Sequence, residues 1–321
     1  MRILVLGGTS FVGRAIVDDA LREGHEVTLF NRGRTGRDLF PRTKLLLGDR
    51  EEGDYSALDE GAWDAVVDVS GFVPRHVRQA SDTLGDRVGR YLFISSNAAY
   101  APGAGLWADE SAPLRAPEWT TEAIGRDTYG PLKVACEQEL TSRYGRRATI
   151  VRPGMLAGPH DNVNQFTYWV RRAAQGGKVV LPGDPGQPVQ LLDARDLARL
   201  VVRLLEDDRE GEFNAMGPAE PLTLLEMLRT CARAAGSEIE PVLVPPEAIM
   251  AAFPLVRPDR VWEQSFQRDF GRARAAGLPS TPLITTAADV LAWDRERGEP
   301  PLGVGPSAEI ERTLLSYVQG R

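Results

Sequence analysis

A phenol and an ammonium stand four residues apart in Tyr129-Gly130-Pro131-Leu132-Lys133, at the start of a helical stretch that runs on through Glu137 and Leu140. Residues four apart share a helix face, so the two groups are brought side by side. Lys133 favours loss of the phenolic proton, which suits Tyr129 to give or take a proton at a carbonyl oxygen. Upstream, Phe93-Ile94-Ser95-Ser96-Asn97 closes an apolar run in two serines, and Ser96 is placed to hold the same oxygen. An isolated Tyr-x-x-x-Lys pair arises by chance on many helices. What lifts this one above chance is the opening of the chain, where the apolar run Ile3-Leu4-Val5-Leu6 breaks into Gly7-Gly8-Thr9-Ser10-Phe11-Val12-Gly13. A buried parallel strand feeds a phosphate-binding helix in this way.

In that turn Gly7 gives the tight exit from the strand and Gly13 lets the helix lie close to the sheet, while the N–H groups at the helix start can hold a pyrophosphate. Ser10 replaces the middle glycine of the spacing and can itself bond a phosphate oxygen; Thr9, Phe11 and Val12 complete the candidate contacts. The second strand ends at Phe30-Asn31-Arg32-Gly33-Arg34, where an acidic residue would hold the ribose hydroxyls of NAD. Asn31 followed by Arg32 removes repulsion toward a 2′-phosphate and offers it a guanidinium, so NADP(H) is expected over NAD(H). Asp49, before Arg50, either accepts a bond from the adenine amine or is a turn or capping aspartate. Val69, Ser70 and Gly71 form a small-residue exit from the fourth strand against which a cofactor can lie, and Ser95 and Pro153 end two later strands.

These residues require a sheet to position them. Strands are expected at Ile3–Leu6, Glu26–Phe30, Lys44–Leu47, Ala65–Val69, Arg90–Ser95 and Ala148–Arg152, alternating with helical segments. That pattern is an α/β, Rossmann-type doubly wound parallel sheet with right-handed crossovers. After Arg152 proline and glycine multiply; the apolar run Val189–Leu192 and the amphipathic segment Ala194–Glu206 then suggest a return to the sheet. The expected division is therefore 1–156 and 189–216 for dinucleotide binding, with 157–188 and 217–321 as a smaller, discontinuous substrate-binding lobe. Thr223–Ala235 and Pro282–Arg297 carry apolar residues at helical spacing.

The chain has 321 residues, of which 42% are hydrophobic and 26% charged, as in ordinary globular proteins. A net charge of −7 without a basic, aromatic-rich cluster argues against nucleic acid as a partner. Cys136 and Cys231 fit neither a metal nor a redox spacing, and His25, His76 and His160 are not grouped, so no metal is expected. Strand-like sequence from Ile3, with no apolar run near the ~20 residues a bilayer requires, leads to an expectation of a cytoplasmic protein that does not enter a membrane.

Taken together, the glycine turn, Asp49, Ser96, Tyr129, Lys133, Arg152-Pro153-Gly154 and Leu192-Asp193-Ala194-Arg195-Asp196-Leu197-Ala198 resemble the extended short-chain dehydrogenase/reductases, including their epimerase/dehydratase group. The loss of the middle glycine and the Asn31-Arg32-Gly33 step look more like an atypical branch that includes chloroplast stem-loop-binding proteins. By that resemblance Ser96, Tyr129 and Lys133 are a catalytic triad, the cofactor contacts above are carried over, and a homodimer forms through the helix bearing Tyr129 and its neighbour. Three departures bear on substrate. Asn97 and Ala98 stand where dehydratases of the group carry Asp-Glu, Val189 stands where nucleotide-sugar epimerases carry a diphosphate-gripping Arg, and Ala157 replaces an aromatic residue. The implied activity is NADP(H)-dependent oxidation or reduction of a small organic substrate. Its alternatives are an epimerase of a sugar-like substrate, and an NADP-binding sensor or RNA-binding relative without turnover.

Overall fold

The first strand explains the rest of the sheet. Ile3, Leu4, Val5 and Leu6 are all at most 1% exposed, as only a strand covered on both faces permits. In the computed structural model, which describes residues 1–218, 222–245, 248–249, 252–257 and 267–319, β1 (Arg2–Leu6), β2 (Glu26–Asn31), β3 (Lys44–Leu47), β4 (Trp63–Asp68), β5 (Val88–Ile94) and β6 (Ala148–Pro153) follow the expected positions closely. Between them lie α1 (Phe11–Arg22), α2 (Pro74–Leu84) and α3 (Tyr129–Tyr144). Leu4, Leu6, Val66, Tyr91 and Phe93 form one buried cluster with α2 and α3. Their strand neighbours, such as Ile3, Val5 and Leu92, are buried on the opposite side.

Beyond β6 the chain continues through β7 (Met155–Ala157), α4 (Gln165–Ala174), β8 (Gly177–Pro182), β9 (Pro188–Val189) and β10 (Leu191–Asp193). There follow α5 (Ala194–Glu206), β11 (Gly211–Ala215), β12 (Leu222–Thr223), α6 (Leu224–Ala235) and β13 (Ile239–Val244). Last come α7 (Gly271–Ala275), α8 (Leu283–Glu296) and α9 (Ala308–Gln319). The main sheet has seven strands in the order β11-β6-β5-β4-β1-β2-β3, every neighbouring pair parallel. This is the doubly wound Rossmann arrangement, extended by one edge strand.

Two compact units result: Met1–Gly154, Ala194–Ala215 and Arg268–Pro279 form the first, and Met155–Asp193, Met216–Gln267 and Ser280–Arg321 the second. The segments differ from those expected from composition. The apolar run at Val189–Leu192 does not rejoin the main sheet: Leu191–Asp193 pairs with Met155–Ala157, and Val189 pairs with Leu222. The strand that does rejoin it is β11, whose sequence Gly-Glu-Phe-Asn-Ala carries too little apolar character to announce itself. In the second unit α4, α6 and α8 share a buried core with β8 and β13. Phe166, Tyr168 and Trp169 are core residues there. Arg171 and Arg172 are spent on ion pairs with Asp294 and Glu311.

A buried ion pair underlies the first unit. Arg50 Nη1 and Nη2 donate to the two Asp68 oxygens at 2.6 and 2.8 Å, and Tyr91 Oη donates to Asp68 Oδ2 at 2.9 Å. Burial alone would raise the Asp68 carboxyl, but Arg50 and the bonds from Tyr91 and Ser70 N hold it below the usual carboxylate range. A carboxyl lowered on folding contributes stability that is full above its unfolded value, about 3.9, and is lost as pH falls through the folded value. Asp68→Asn leaves Arg50 buried without a countercharge. The expected loss is about 3–5 kcal/mol in urea denaturation at pH 7, together with a flatter decline of stability below about pH 4.

Candidate active site

Beyond Leu6 the backbone turns at Gly7 (φ 112°) and Gly8 (φ 94°), a conformation that L-residues other than glycine rarely hold. A Cβ on Gly7 would also stand 2.5 Å from Val69 Cγ2. Similarly, a Cβ on Gly13 would lie 2.8 Å from Gly8 N, so α1 packs directly on its own entry turn. The helix begins at Phe11 after Ser10, with no side-chain cap bond and no acidic residue in its first turn. Its N–H groups and positive dipole end therefore present an anion site. The turn before it borders, through Gly7 and Thr9, a cleft of ≈ 200 Å³ that Arg32, Asp49, Ser70 and Phe72 also line.

At the far rim of this cleft, Asn31 Nδ2 donates to Gly7 O at 3.3 Å and Asn31 Oδ1 accepts from Gly33 N at 2.8 Å. Asn31 thus ties the end of β2 to the glycine turn. Arg32 is exposed, and among the described residues its side chain has no ion pair or hydrogen bond. Arg34 Nη2 lies 3.2 Å from Asp49 Oδ2. Arg50 lines the cleft, but its five N–H groups are all accounted for inside the protein. Nε donates to Tyr55 Oη, Nη1 to Asp68 and Ser70 Oγ, and Nη2 to Asp68 and His76 O. Ser70 Oγ in turn donates to Leu6 O at 3.0 Å, which fastens the exit of β4 to that of β1.

The residues that the sequence nominates for the chemistry lie beyond β5. Lys133 is 2% exposed; its Nζ donates to Gly71 O at 2.8 Å and Ile94 O at 2.9 Å and sits 4.5 Å from the Phe93 ring centre. Two of its three N–H donors are therefore fixed on the ends of β4 and β5. Ser96 Oγ accepts from Ala98 N at 3.1 Å, which leaves its own proton to be donated elsewhere. Tyr129 is half-buried in the first turn of α3.

Sequence reasoning missed how closely α3 approaches this loop. A Cβ on Gly130 would come within 2.2 Å of Ala98 O, so only glycine beside Tyr129 lets the helix reach the serine. Also missed was the layer beneath. Ser95 Oγ donates to Glu137 Oε1, Arg152 Nη2 donates to Glu137 Oε2 at 2.6 Å, and Arg152 Nη1 donates to Tyr100 Oη at 3.0 Å. Arg268 Nε donates to Asn97 Oδ1 at 3.1 Å, with its guanidinium 4.5 Å from the Tyr100 ring centre. A signal for Glu137 was present, since 129, 133 and 137 continue one helix face. None marked Arg268. Pro153 is buried at the end of β6. Cys136 and Cys231 are free and buried. Among the described residues no group of His, Cys, Asp or Glu could hold a metal ion, and no helix is long and apolar enough to cross a membrane.

With this sheet order and glycine turn, and with the family match and relatives that follow, the chain is an NAD(P)-dependent enzyme of the short-chain dehydrogenase/reductase class. Residues 3–215 match the NAD dependent epimerase/dehydratase family, to which the chain belongs. Among curated relatives, chloroplast stem-loop binding protein of 41 kDa b from Arabidopsis thaliana is 27% identical over 92% of this chain and 75% of its own. The 2'-dehydrokanamycin reductase of Streptomyces kanamyceticus is 27% identical over 77% of this chain and 70% of its own. The solved UDP-glucuronic acid 4-epimerase of Bacillus cereus, in complex with NAD, shares the fold with TM-score 0.70 at 15% identity, covering 92% of this chain and 99% of that one.

Gly130 offers a test whose sign is informative. Glycine to alanine inside a helix ordinarily gains about 0.5–1 kcal/mol. Here the new methyl meets a carbonyl oxygen, so Gly130→Ala is expected to cost about 1–3 kcal/mol instead, read by urea denaturation.

Proposed function

We propose that the protein is an NADP(H)-dependent oxidoreductase that interconverts a carbonyl and a secondary alcohol on a small organic molecule. The observation that carries this reading is the Lys133 ammonium, held on the carbonyls of Gly71 and Ile94 one helical turn from Tyr129 and behind Ser96. The cleft and the turn beside it suit a dinucleotide: the uncapped, acid-free start of α1 would take the pyrophosphate, and Asp49 in the cleft lining would take the base. The exposed Arg32 beside the uncharged Asn31 suits a 2′-phosphate. Bound nicotinamide would supply the two-electron step as a hydride donor or acceptor. Tyr129 would move the proton at the substrate oxygen, Ser96 would donate its hydroxyl proton to that oxygen, and the remaining N–H of Lys133 would bond the nicotinamide ribose.

Reduction is preferred to epimerisation of a nucleotide sugar because Val189, standing where a diphosphate-gripping Arg is expected, is 2% exposed and part of an apolar core. Turnover is preferred to RNA binding because the net charge is −7 and the Ser-Tyr-Lys set is intact. On the same reading the active species is a homodimer pairing α2 and α3 of two copies, with a light-scattering mass near twice 35.1 kDa; a monomer would remove that part.

Fluorescence titration of NADPH and NADH tests the cofactor. NADPH is expected to bind more tightly, and Arg32→Ala to weaken NADPH roughly tenfold or more while sparing NADH; a preference for NADH overturns the assignment. In a carbonyl screen the wild type should consume NADPH stoichiometrically, and Tyr129→Phe should lose roughly 100-fold or more in rate. Conversion of substrate without net NADPH loss would favour the epimerase.

A further inference from the structure

The end of the sheet opposite the cleft carries a second cavity. In a parallel sheet all strands start on one side, and residues at or near the starts of β5, β6 and β11 line a hollow of ≈ 580 Å³ there. The glycine turn and Ser96 instead follow the ends of β1 and β5. Five residues of the lining are arginines: Arg90 in β5, Arg146 and Arg147 just before β6, Arg209 just before β11, and Arg272 in α7. The carboxylates among them are Asp208 and Glu210, so the lining has an excess of three positive charges on a chain whose net charge is −7.

Internal bonds account for only part of these donors. Arg146 is closed on Glu210 by two bonds of 2.7 and 2.9 Å, and Arg147 gives Nη1 to Val88 O and Nη2 to Asp86. Arg90 is different. It is 7% exposed, with Nε donating to Asp208 Oδ1 at 2.6 Å and Nη1 to Arg146 O at 3.2 Å and Thr149 Oγ1 at 3.1 Å. Its Nη2 has no hydrogen bond among the described residues and stays accessible to solvent in the cavity wall. The carboxylate that faces it, Asp208, has a side chain 82% exposed. Arg272 makes no ion pair among the described residues: Nη2 donates to Glu210 O at 3.1 Å, and the guanidinium lies 4.7 Å from the Phe213 ring centre. A guanidinium withdrawn from water needs acceptors on every N–H, and Arg90 keeps two of its five toward the cavity.

The volume lies within the roughly 300–1,000 Å³ of small-molecule sites. Guanidinium forks match the oxygens of phosphate two at a time, and a phosphoryl group brings up to about two negative charges on three acceptor oxygens. One such ligand would meet both the free donors and the excess charge. Phe213, covered by Arg272, is 3% exposed and offers no open face to a base.

We infer that this cavity binds a small phosphate-bearing molecule through Arg90 Nη2 and Arg272, at a site separate from the cleft. The test is calorimetric titration of the full chain with inorganic pyrophosphate, for wild type, Arg90→Lys, Arg272→Gln and, as a control for net charge, the exposed Arg229→Gln on α6. Wild type is expected to bind pyrophosphate, and to bind the dicarboxylate malonate more weakly. Arg90→Lys keeps the charge beside Asp208 but loses the fork. That variant and Arg272→Gln should each weaken pyrophosphate roughly tenfold, while Arg229→Gln should not. Absence of binding, equal binding of malonate, an equal loss in Arg229→Gln, or binding indifferent to both cavity substitutions, as at the start of α1, overturns the assignment. A structured RNA that binds more tightly than pyrophosphate and loses affinity in the same two variants also overturns it, because the arginines would then follow a nucleic-acid backbone.

Discussion

Burying the Lys133 ammonium is the constraint from which the geometry of the candidate site follows. Withdrawing such a charge from water costs several kcal/mol unless acceptors replace the lost hydration. Here the Gly71 and Ile94 carbonyls and the Phe93 face do so. The acceptors belong to the ends of β4 and β5, the donor to α3, and all three elements must therefore keep one register. Any rotation of α3 that moved Tyr129 would strand a buried cation. The close approach at Gly130 and Ala98 O closes the same arrangement from the other side.

Beneath the cleft a second polar layer does comparable work. Arg50 spends its donors on Asp68, Ser70, Tyr55 and the His76 carbonyl, so one guanidinium connects the exit of β3, the end of β4 and the first turn of α2. Glu137 and Arg152 do the same for α3 and β6, reaching Tyr100 and, through its hydroxyl, Asn214 on β11. Both pairs are buried and bonded bidentately, with further partners on each arginine, the condition under which internal charge fixes a geometry without a large penalty.

Much of this was legible in the sequence. The six strands through β6 and the helices α5, α6 and α8 announce themselves through apolar runs and spacing, because a strand buried on both faces and an amphipathic helix leave distinct periods. Gly7 and Gly13 were legible as turn and packing positions, and Ser96, Tyr129 and Lys133 as a strand end and one helix face, because those placements follow from fixed offsets. What failed was side-chain direction and distant pairing. Arg50 sits beside Asp49 in sequence, yet its guanidinium turns inward to Asp68, which no local pattern encodes. Val189–Leu192 is an apolar run too short to say which partner it pairs with. Arg268 reaches Asn97 across 171 positions, beyond the reach of any motif.

Compositional boundaries also concealed how the chain is threaded. It passes between the two units at 154/155, 193/194, 215/216, 267/268 and 279/280, so no contiguous stretch contains either one whole. The edge strand β11 and the Arg268–Pro279 segment complete the first unit only after most of the chain has been made. During synthesis, which delivers residues from the N-terminus, the glycine turn and the Tyr129 helix wait for residues more than a hundred positions later before their unit can close. For the same reason neither unit corresponds to one uninterrupted stretch of the gene, and a cut anywhere between Met155 and Pro279 leaves both of them divided.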